Sequence, residues 1–299
     1  MSAGVRVAAF AALLVAIFGV ATLAGAAIGP DRNRETATAG EHADTMGGAG
    51  ATAGDHGATH GAGAGGSGAG ETAREGQAGL ASAQDGYRLV TTTRRFTAGR
   101  PVPFAFAIVD ARGATVRAFE TEQARRMHLI VVRRDLRGYQ HLHPVQGAAG
   151  DWSTRLTLPD AGVYRAFADF RIGGEQRTLG VDLFVAGRFA PRDLPAPRDM
   201  ALADGYAVSL HRHGGELSFA IRRGGVAVAD LQPYLGAYGH LVVLREGDLA
   251  YRHVHPVSSP RGEIAFEAGT LQPARYRLFV QFRHAGRVHT AAFTHEARP

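Results

Sequence analysis

The strongest constraint on this chain is a stretch that it carries twice. Residues 127–144 read MHLIVVRRDLRGYQHLHP and residues 239–256 read GHLVVLREGDLAYRHVHP. In each copy a His opens an apolar run, His128 in the first and His240 in the second. Each copy closes on His-x-His-Pro: His141, His143 and Pro144, then His253, His255 and Pro256. The opening His precedes the pair by 13 residues in both (141 − 128 and 253 − 240). Downstream, Tyr164-Arg165-Ala166-Phe167 answers Tyr276-Arg277-Leu278-Phe279 at equal distance, and upstream Phe106-Ala107-Ile108 answers Phe219-Ala220-Ile221 with a one-residue slip. A repeat of this length means two copies of one domain, and 299 residues leave room for about two.

The texture around the repeats is that of short strands. Segments 87–93, 102–110, 127–134, 139–144, 152–158, 163–171 and 176–185 are rich in β-branched and aromatic residues and punctuated by Gly, Pro and Asp. The second copy offers 206–211, 216–222, 239–245, 251–256, 263–267, 274–283 and 287–295, with a hairpin turn expected at His213-Gly214-Gly215-Glu216. No segment has a helical period. About seven strands in about 100 residues predict an immunoglobulin-like or cupredoxin-like β-sandwich. The fold class is therefore all-β, two tandem sandwiches, over residues 85–187 and 201–296. Between them the three prolines of 188–200 make a stiff linker. Phe104, Phe106 and Ile108 alternate with Ala105, Ala107 and Val109, so both faces of that strand are apolar, as expected near a sandwich core. Trp152, Tyr164, Phe167, Phe170, Tyr276, Phe279 and Phe282 fit the cores, and Asp135 and Asp248 fit turns.

Ahead of the sandwiches lie two segments of different character. Residues 7–29 are an uncharged apolar run behind Arg6, long enough at about 1.5 Å per residue to cross a bilayer. Segment 1–29 is accordingly a signal-anchor helix, or a cleaved signal peptide with Ala24-Gly25-Ala26 as its processing site. Either way the bulk of the chain is exported. Residues 30–84, mostly Gly, Ala and Thr, cannot bury enough apolar surface to offset their ordering entropy and are expected to form a disordered tether. His42, Met46, His56 and His60 in that tether are either weak metal scavengers or solvated filler.

Composition excludes several function classes. The chain has no Cys, so disulfides, thiolate metal sites, Cys nucleophiles and blue-copper electron transfer are all ruled out. Every basic residue is Arg, and the net charge of +6 comes from arginines interspersed with acids, which is not a nucleic-acid-binding pattern. There is no nucleophile-elbow Ser, no phosphate-cradling loop and no His-Glu-x-x-His, so no enzyme is expected.

What remains is the chemistry of the histidines. Residues two apart in a strand share a face, so His141 and His143 point the same way, as do His253 and His255. If the hairpin register pairs His128 with His143, all three imidazoles of the first copy lie on one face; a slip by one residue breaks the set. Three neutral imidazoles so placed suit Cu(II) or Zn(II). In the second copy His240, His253 and His255 make the same case, with His284 and His289 as extra candidates. One triad per module predicts two metal equivalents per chain. The competing class is a structural or protein-interaction module of the cell envelope, in which the histidines only pin hairpins. Asp169 is matched by Gln281, so a shared ligand role at that position is not expected.

The segments FETEQARRMHLIVVRRDLRGYQHLHP and PYLGAYGHLVVLREGDLAYRHVHP resemble a family of bacterial exported or membrane-anchored proteins. Members carry an apolar N-terminus, a Gly/His-rich spacer and two such modules; the resemblance covers roughly 85–296. Relatives beside heavy-metal-binding domains imply metal handling, with copper favoured. Relatives also place another His just before the first one, where this chain has Glu122-Gln123. The function expected from residues and resemblance together is non-catalytic metal binding on the outer side of a membrane, through a single-pass anchor and with an envelope protein as a further partner.

Overall fold

A computed structural model describes residues 78–298, apart from 255 and 259–261. The apolar run 7–29, the tether residues His42, Met46, His56 and His60, and His255 lie outside the described residues. Among the described residues the structure is all-β, without a helix, and none is long and apolar enough to cross a membrane. They belong to one compact unit.

The first module contains β1 (Ala83–Gln84), β2 (Tyr87–Val90), β3 (Arg95–Phe96), β4 (Pro101–Val109) and β5 (His128–Arg133). It continues with β6 (Gln140–Leu142), β7 (Val145–Gln146), β8 (Trp152–Thr157), β9 (Gly162–Ile172) and β10 (Glu175–Val185). One sheet has the order β1-β2-β4-β8-β7, the other β3-β10-β9-β5-β6. Phe104, Phe106, Ile108, Leu129, Val131, Trp152, Leu156 and Tyr164 fill the space between them. On β4 Phe104, Phe106 and Ile108 are buried, whereas the second face, apolar as expected, is exposed at Ala105, half-buried at Ala107 and closed at Val109.

The second module repeats the plan. It comprises β11 (Met200–Ala203), β12 (Tyr206–His213), β13 (Glu216–Arg223), β14 (Val226–Ala227) and β15 (Gly239–Arg245). Then follow β16 (Tyr251–Val254), β17 (Pro256–Ser258), β18 (Glu263–Glu267), β19 (Ala274–His284) and β20 (Arg287–Ala297). Its sheets run β11-β12-β13-β18-β17, with β14 on β13, and β16-β15-β19-β20. Val208, Phe219, Ile221, Leu241, Val243, Phe266, Leu278 and Phe293 make its core. His213 pairs with Glu216 across Gly214-Gly215, and Gly214 takes the positive φ of 58° that a two-residue hairpin turn demands. The corner is repeated too: Tyr164 Oη donates to the Asp160 carbonyl (3.0 Å) and Tyr276 Oη to that of Gln272 (2.9 Å).

Strands β5 and β15 are buried on both faces along nearly their whole length, as is the middle of β9. Leu129 and Val131 face the first core, Leu241 and Val243 the second. The opposite faces, Ile130 and Val132 with Val242 and Leu244, meet in a third core shared by the two modules. The second sheet of one module thus packs back to back on the second sheet of the other. The uninterrupted runs LIVVR and LVVLR have this physical cause, since a strand covered on both sides has no polar alternation.

Folded structure begins earlier than the expected boundary at 85. Gly79 N–H donates to the Thr178 carbonyl (3.0 Å) and Gly180 N–H to that of Ala81 (2.8 Å), while the Ala78 carbonyl accepts from Tyr251 N–H of the other module (3.2 Å). Glycine is required at 79, because a Cβ there would lie 2.3 Å from the Phe167 ring. Glycine is required at 180 as well, where a Cβ would lie 2.1 Å from the Gly79 carbonyl oxygen.

Candidate metal centre

The third core has an apolar end and a histidine end, and the two modules build both ends reciprocally. At the apolar end Tyr139 stacks on Phe279 of the second module, with centroids 4.1 Å apart and planes at 8°. Tyr251 stacks on Phe167 of the first module, at 4.9 Å and 18°. Each tyrosine leads a His-x-His strand, so these stacks fix where the following histidines point.

The hairpin register is decided in both modules. Ile130 pairs with His141 and Leu129 with Leu142; Val242 pairs with His253 and Leu241 with Val254. Continued by one step, this register sets His128 opposite His143 and places His128, His141 and His143 on the face turned to the other module. His240 and His253 do the same from the other side. The two sets therefore converge on one place instead of forming one site per module. Ring centroids of His128 lie 5.3 Å from His141, 5.1 Å from His143, 6.3 Å from His240 and 5.1 Å from His253. His141 lies 5.5 Å from both His240 and His253, and His240 lies 5.8 Å from His253. His128 and His240 are 3% and 0% exposed. His141 and His143 are half-buried.

Four of these rings have one nitrogen held by an acceptor. His128 Nε2–H donates to the Glu122 carbonyl (3.2 Å) and His240 Nε2–H to the Tyr234 carbonyl (3.1 Å). These carbonyls sit in equivalent tight turns, each closed by a hydrogen-bonded pair, Glu122 with Arg125 and Tyr234 with Ala237. Gln123 and Ala124, like Leu235 and Gly236, adopt positive φ there. His141 Nδ1 lies 2.7 Å from Gln281 Oε1, and His253 Nδ1 lies 2.8 Å from Asp169 Oδ2. Neutral imidazoles so held carry their lone pairs on Nδ1 of His128 and His240 and on Nε2 of His253; that of His141 lies on Nε2 as long as Gln281 presents its oxygen. Nδ1 of His128 is 3.1 Å from Nε2 of His141. One ligand nitrogen from each of His128, His141 and His253 lies within 4.8 Å of the others. Tetrahedral ligands at about 2.0–2.1 Å from a metal stand about 3.3 Å apart, so the three rings would have to draw together by up to about 1.5 Å to share one ion.

The electrostatics favour neutral rings. Burial, and then the neighbouring histidines His253, His143, His128 and His240, hold His141 well below the usual imidazole range. Burial, with His128, Arg125 and His240 nearby, lowers His143 to about 3. His143 Nε2 is buried without a hydrogen-bond partner among the described residues. Near-neutral pH therefore leaves these two rings uncharged, as metal ligands must be.

A shared ligand role is not expected of Asp169 and Gln281, because a carboxylate and a carboxamide do not make equivalent ligands. They are not placed as ligands. Each sits in the central strand of its sheet, β9 or β19, and reaches the first histidine of the other module's His-x-His. A clue existed in the sequence: both are polar residues within otherwise apolar strands, at matched positions. His284 and His289, by contrast, lie elsewhere. His284 contacts Tyr206 and Asp230, and His289 contacts Asp204.

These features define a tandem of β-sandwich modules with a histidine cluster built at their common face. The chain belongs to the family described as a domain of unknown function, DUF8832, which matches residues 81–187 and 201–299. No curated protein matches it. Among solved structures, the Escherichia coli adhesin FdeC is 12% identical over 73% of this chain and 65% of its own, with a TM-score of 0.27. Escherichia coli alpha-2-macroglobulin activated by porcine elastase is 15% identical over 71% of this chain and 20% of its own (TM-score 0.26). A two-domain fibronectin type III segment of chicken tenascin is 9% identical over 70% and 97% (TM-score 0.22). The chain thus spans less than two thirds of the adhesin and one fifth of the macroglobulin.

Proposed function

We propose that this chain is a non-catalytic, membrane-tethered protein of the cell envelope that binds a divalent transition metal where its two sandwiches meet. The observation that carries this reading is the shared cluster of His128, His141, His143, His240 and His253, four of whose rings have the second nitrogen engaged by a protein acceptor. Metal-bound histidines are held in this manner, because the second hydrogen bond fixes both tautomer and ring orientation. An all-imidazole donor set without thiolate suits Cu(II) and Zn(II), and the Irving–Williams order favours copper. His255 continues the second triad in sequence. The matched tyrosine corners favour the immunoglobulin-like form of each sandwich over the cupredoxin-like one.

Calorimetric titration of the full-length, detergent-solubilised chain with Cu(II) and Zn(II) tests the reading. One composite cluster predicts saturation near one equivalent. Binding should vanish in the His141→Ala/His143→Ala/His253→Ala/His255→Ala variant, provided that it retains the wild-type β-sheet spectrum. The competing reading, in which the imidazoles only pin hairpins to the opposite module, draws on the 3.1 Å His128–His141 contact, which a ring-to-ring hydrogen bond explains. It predicts no saturable binding by the folded protein.

A further inference from the structure

The pseudo-twofold arrangement is broken beside the cluster at Asp169 and Gln281, and the break bears on how the cluster works. Both are buried, at 1% and 7% exposure. Both hold the Nδ1 side of a His from the opposite module, at 2.8 and 2.7 Å. Their chemistry differs in one respect that matters to an imidazole. A carboxylate oxygen only accepts, whereas a carboxamide can present either its oxygen or its NH2 group.

Resting on the metal-binding reading, we propose that Asp169 is a positioning residue that locks His253 as a standing ligand, while Gln281 leaves His141 free to exchange tautomers when metal arrives. A neutral His253 next to a carboxylate keeps its proton on Nδ1, which puts its lone pair on Nε2. Asp169 is itself fixed: Gln176 and Thr178 donate to Oδ1, and Tyr251 and His253 to Oδ2. The local environment thus fixes the carboxylate before any ligand is present.

His141 faces a different balance. Its Nε2 lies 3.1 Å from Nδ1 of His128, and His128 has its own proton on Nε2, toward the Glu122 carbonyl. A bond between the two rings needs the His141 proton on Nε2, and the Gln281 NH2 must then take the place, opposite Nδ1, of the Oε1 that stands there in this structure. Thr290 Oγ1, 3.0 Å from the Gln281 amide nitrogen, tolerates this reversal, because a hydroxyl can donate as well as accept. With metal, the His141 lone pair is needed at Nε2. The proton then moves to Nδ1, and Gln281 presents its oxygen. One half of the cluster is preset and the other half switches.

Long-range 1H–15N correlation spectra of the full-length, histidine-labelled chain read both tautomers directly. In the metal-free protein, His253 should show the Nδ1–H form and His141 the Nε2–H form. One equivalent of Zn(II), a diamagnetic probe, should convert His141 to the Nδ1–H form and leave the His253 tautomer unchanged. Asp169→Asn should release His253 into a mixture of tautomers and weaken Zn(II) binding by roughly 10–100-fold, the usual effect of losing such a partner. In a His253→Ala background the same substitution should have less than a twofold effect, because Asp169 acts through His253. Thr178→Val, which removes another donor to Asp169, should leave affinity within twofold and controls for a general loss of packing. Identical tautomers for His141 and His253 in the metal-free chain would overturn the inference, as would an unaltered His253 tautomer in Asp169→Asn. If wild type binds no Zn(II), the metal reading falls; the metal-free spectra still decide whether Asp169 locks His253.

Discussion

The two modules agree at most positions where they face each other, Asp169 and Gln281 excepted, and differ on the flank of the same sheets. At the shared face the matches are close: Tyr139 with Tyr251, Phe167 with Phe279, the Glu122 and Tyr234 carbonyls, and the paired histidines. On the flank, Arg165 and Arg277 occupy equivalent places, each over the ring two residues on, with 5.7 Å to the Phe167 or Phe279 centroid. Arg165 donates to Asp182 (2.9 Å) and to the carbonyls of Gly79 and Leu80. Arg277 has Thr294 Oγ1 at 3.1 Å, because Thr stands where the first module has Asp. Burial, with Arg137 nearby, lowers its guanidinium below the ordinary Arg value. The same residue in the same strand is therefore a structural tie in one module and a half-buried charge at net cost in the other. Sharing a face restrained divergence; lacking an N-terminal strap permitted it.

The largest way to break the comparison is to cut one of the reciprocal stacks. Phe167→Ala and Phe279→Ala should each destabilise the chain by about 3–5 kcal/mol in urea unfolding, and by similar amounts, since the stacks are equivalent. A cost confined to one of them would show that the modules do not share the core equally. The arginines should separate the modules instead. Arg165→Met should cost about 2–3 kcal/mol by leaving Asp182 and two carbonyls short of a donor, whereas Arg277→Met should stay within about 1 kcal/mol of wild type. Equal losses would mean that Arg277 has a tie as strong as that of Arg165.

The histidines add a pH test of the metal-free protein. His141 and His143 are held below 6.5 in the fold, His143 at about 3, so below about pH 6.5 the unfolded chain binds protons that the fold refuses. Stability in excess chelator should be greatest above pH 6.5 and fall continuously as pH drops toward 3, with a shallower slope in His143→Gln. Urea midpoints between pH 7.5 and 4 that rise on acidification would contradict a neutral cluster. The smallest effect belongs to Thr294→Asp, which gives Arg277 the partner that Arg165 has. Thr294 is 2% exposed, so desolvation of the new carboxylate offsets much of the ion-pair gain and a net change within about 1 kcal/mol is expected; a larger loss would mean that the flanks are not equivalent in geometry.

Much of this architecture is legible in the residues. Strand positions follow from β-branched runs between Gly and Pro, and the longest of them, β9, β10, β19 and β20, exceed their expected spans by only a residue or two at either end. Pairs such as Arg95–Phe96 and Val145–Gln146 are too short to carry a period, and tertiary contacts alone define them. The duplicated histidines are legible as candidate ligands. Their convergence is not, because alternation tells which residues share a face and not what that face meets. One signal pointed there: the doubly apolar runs of β5 and β15 require a second covering layer, and the only repeated layer in the chain is the other module. The partners Asp169 and Gln281 were hidden by their difference, since matching by identity overlooks residues that do the same job with different chemistry.

That difference has a consequence for descent. An interface in which residue i of one copy meets residue j of the other, and j meets i, has the form of an isologous dimer. A free module pairing with its twin would be bound by symmetry to put the same residue opposite both histidines. Only after both copies were written into a single chain could one keep a carboxylate where the other holds an amide. Fusion is what made an unequal pair available to selection.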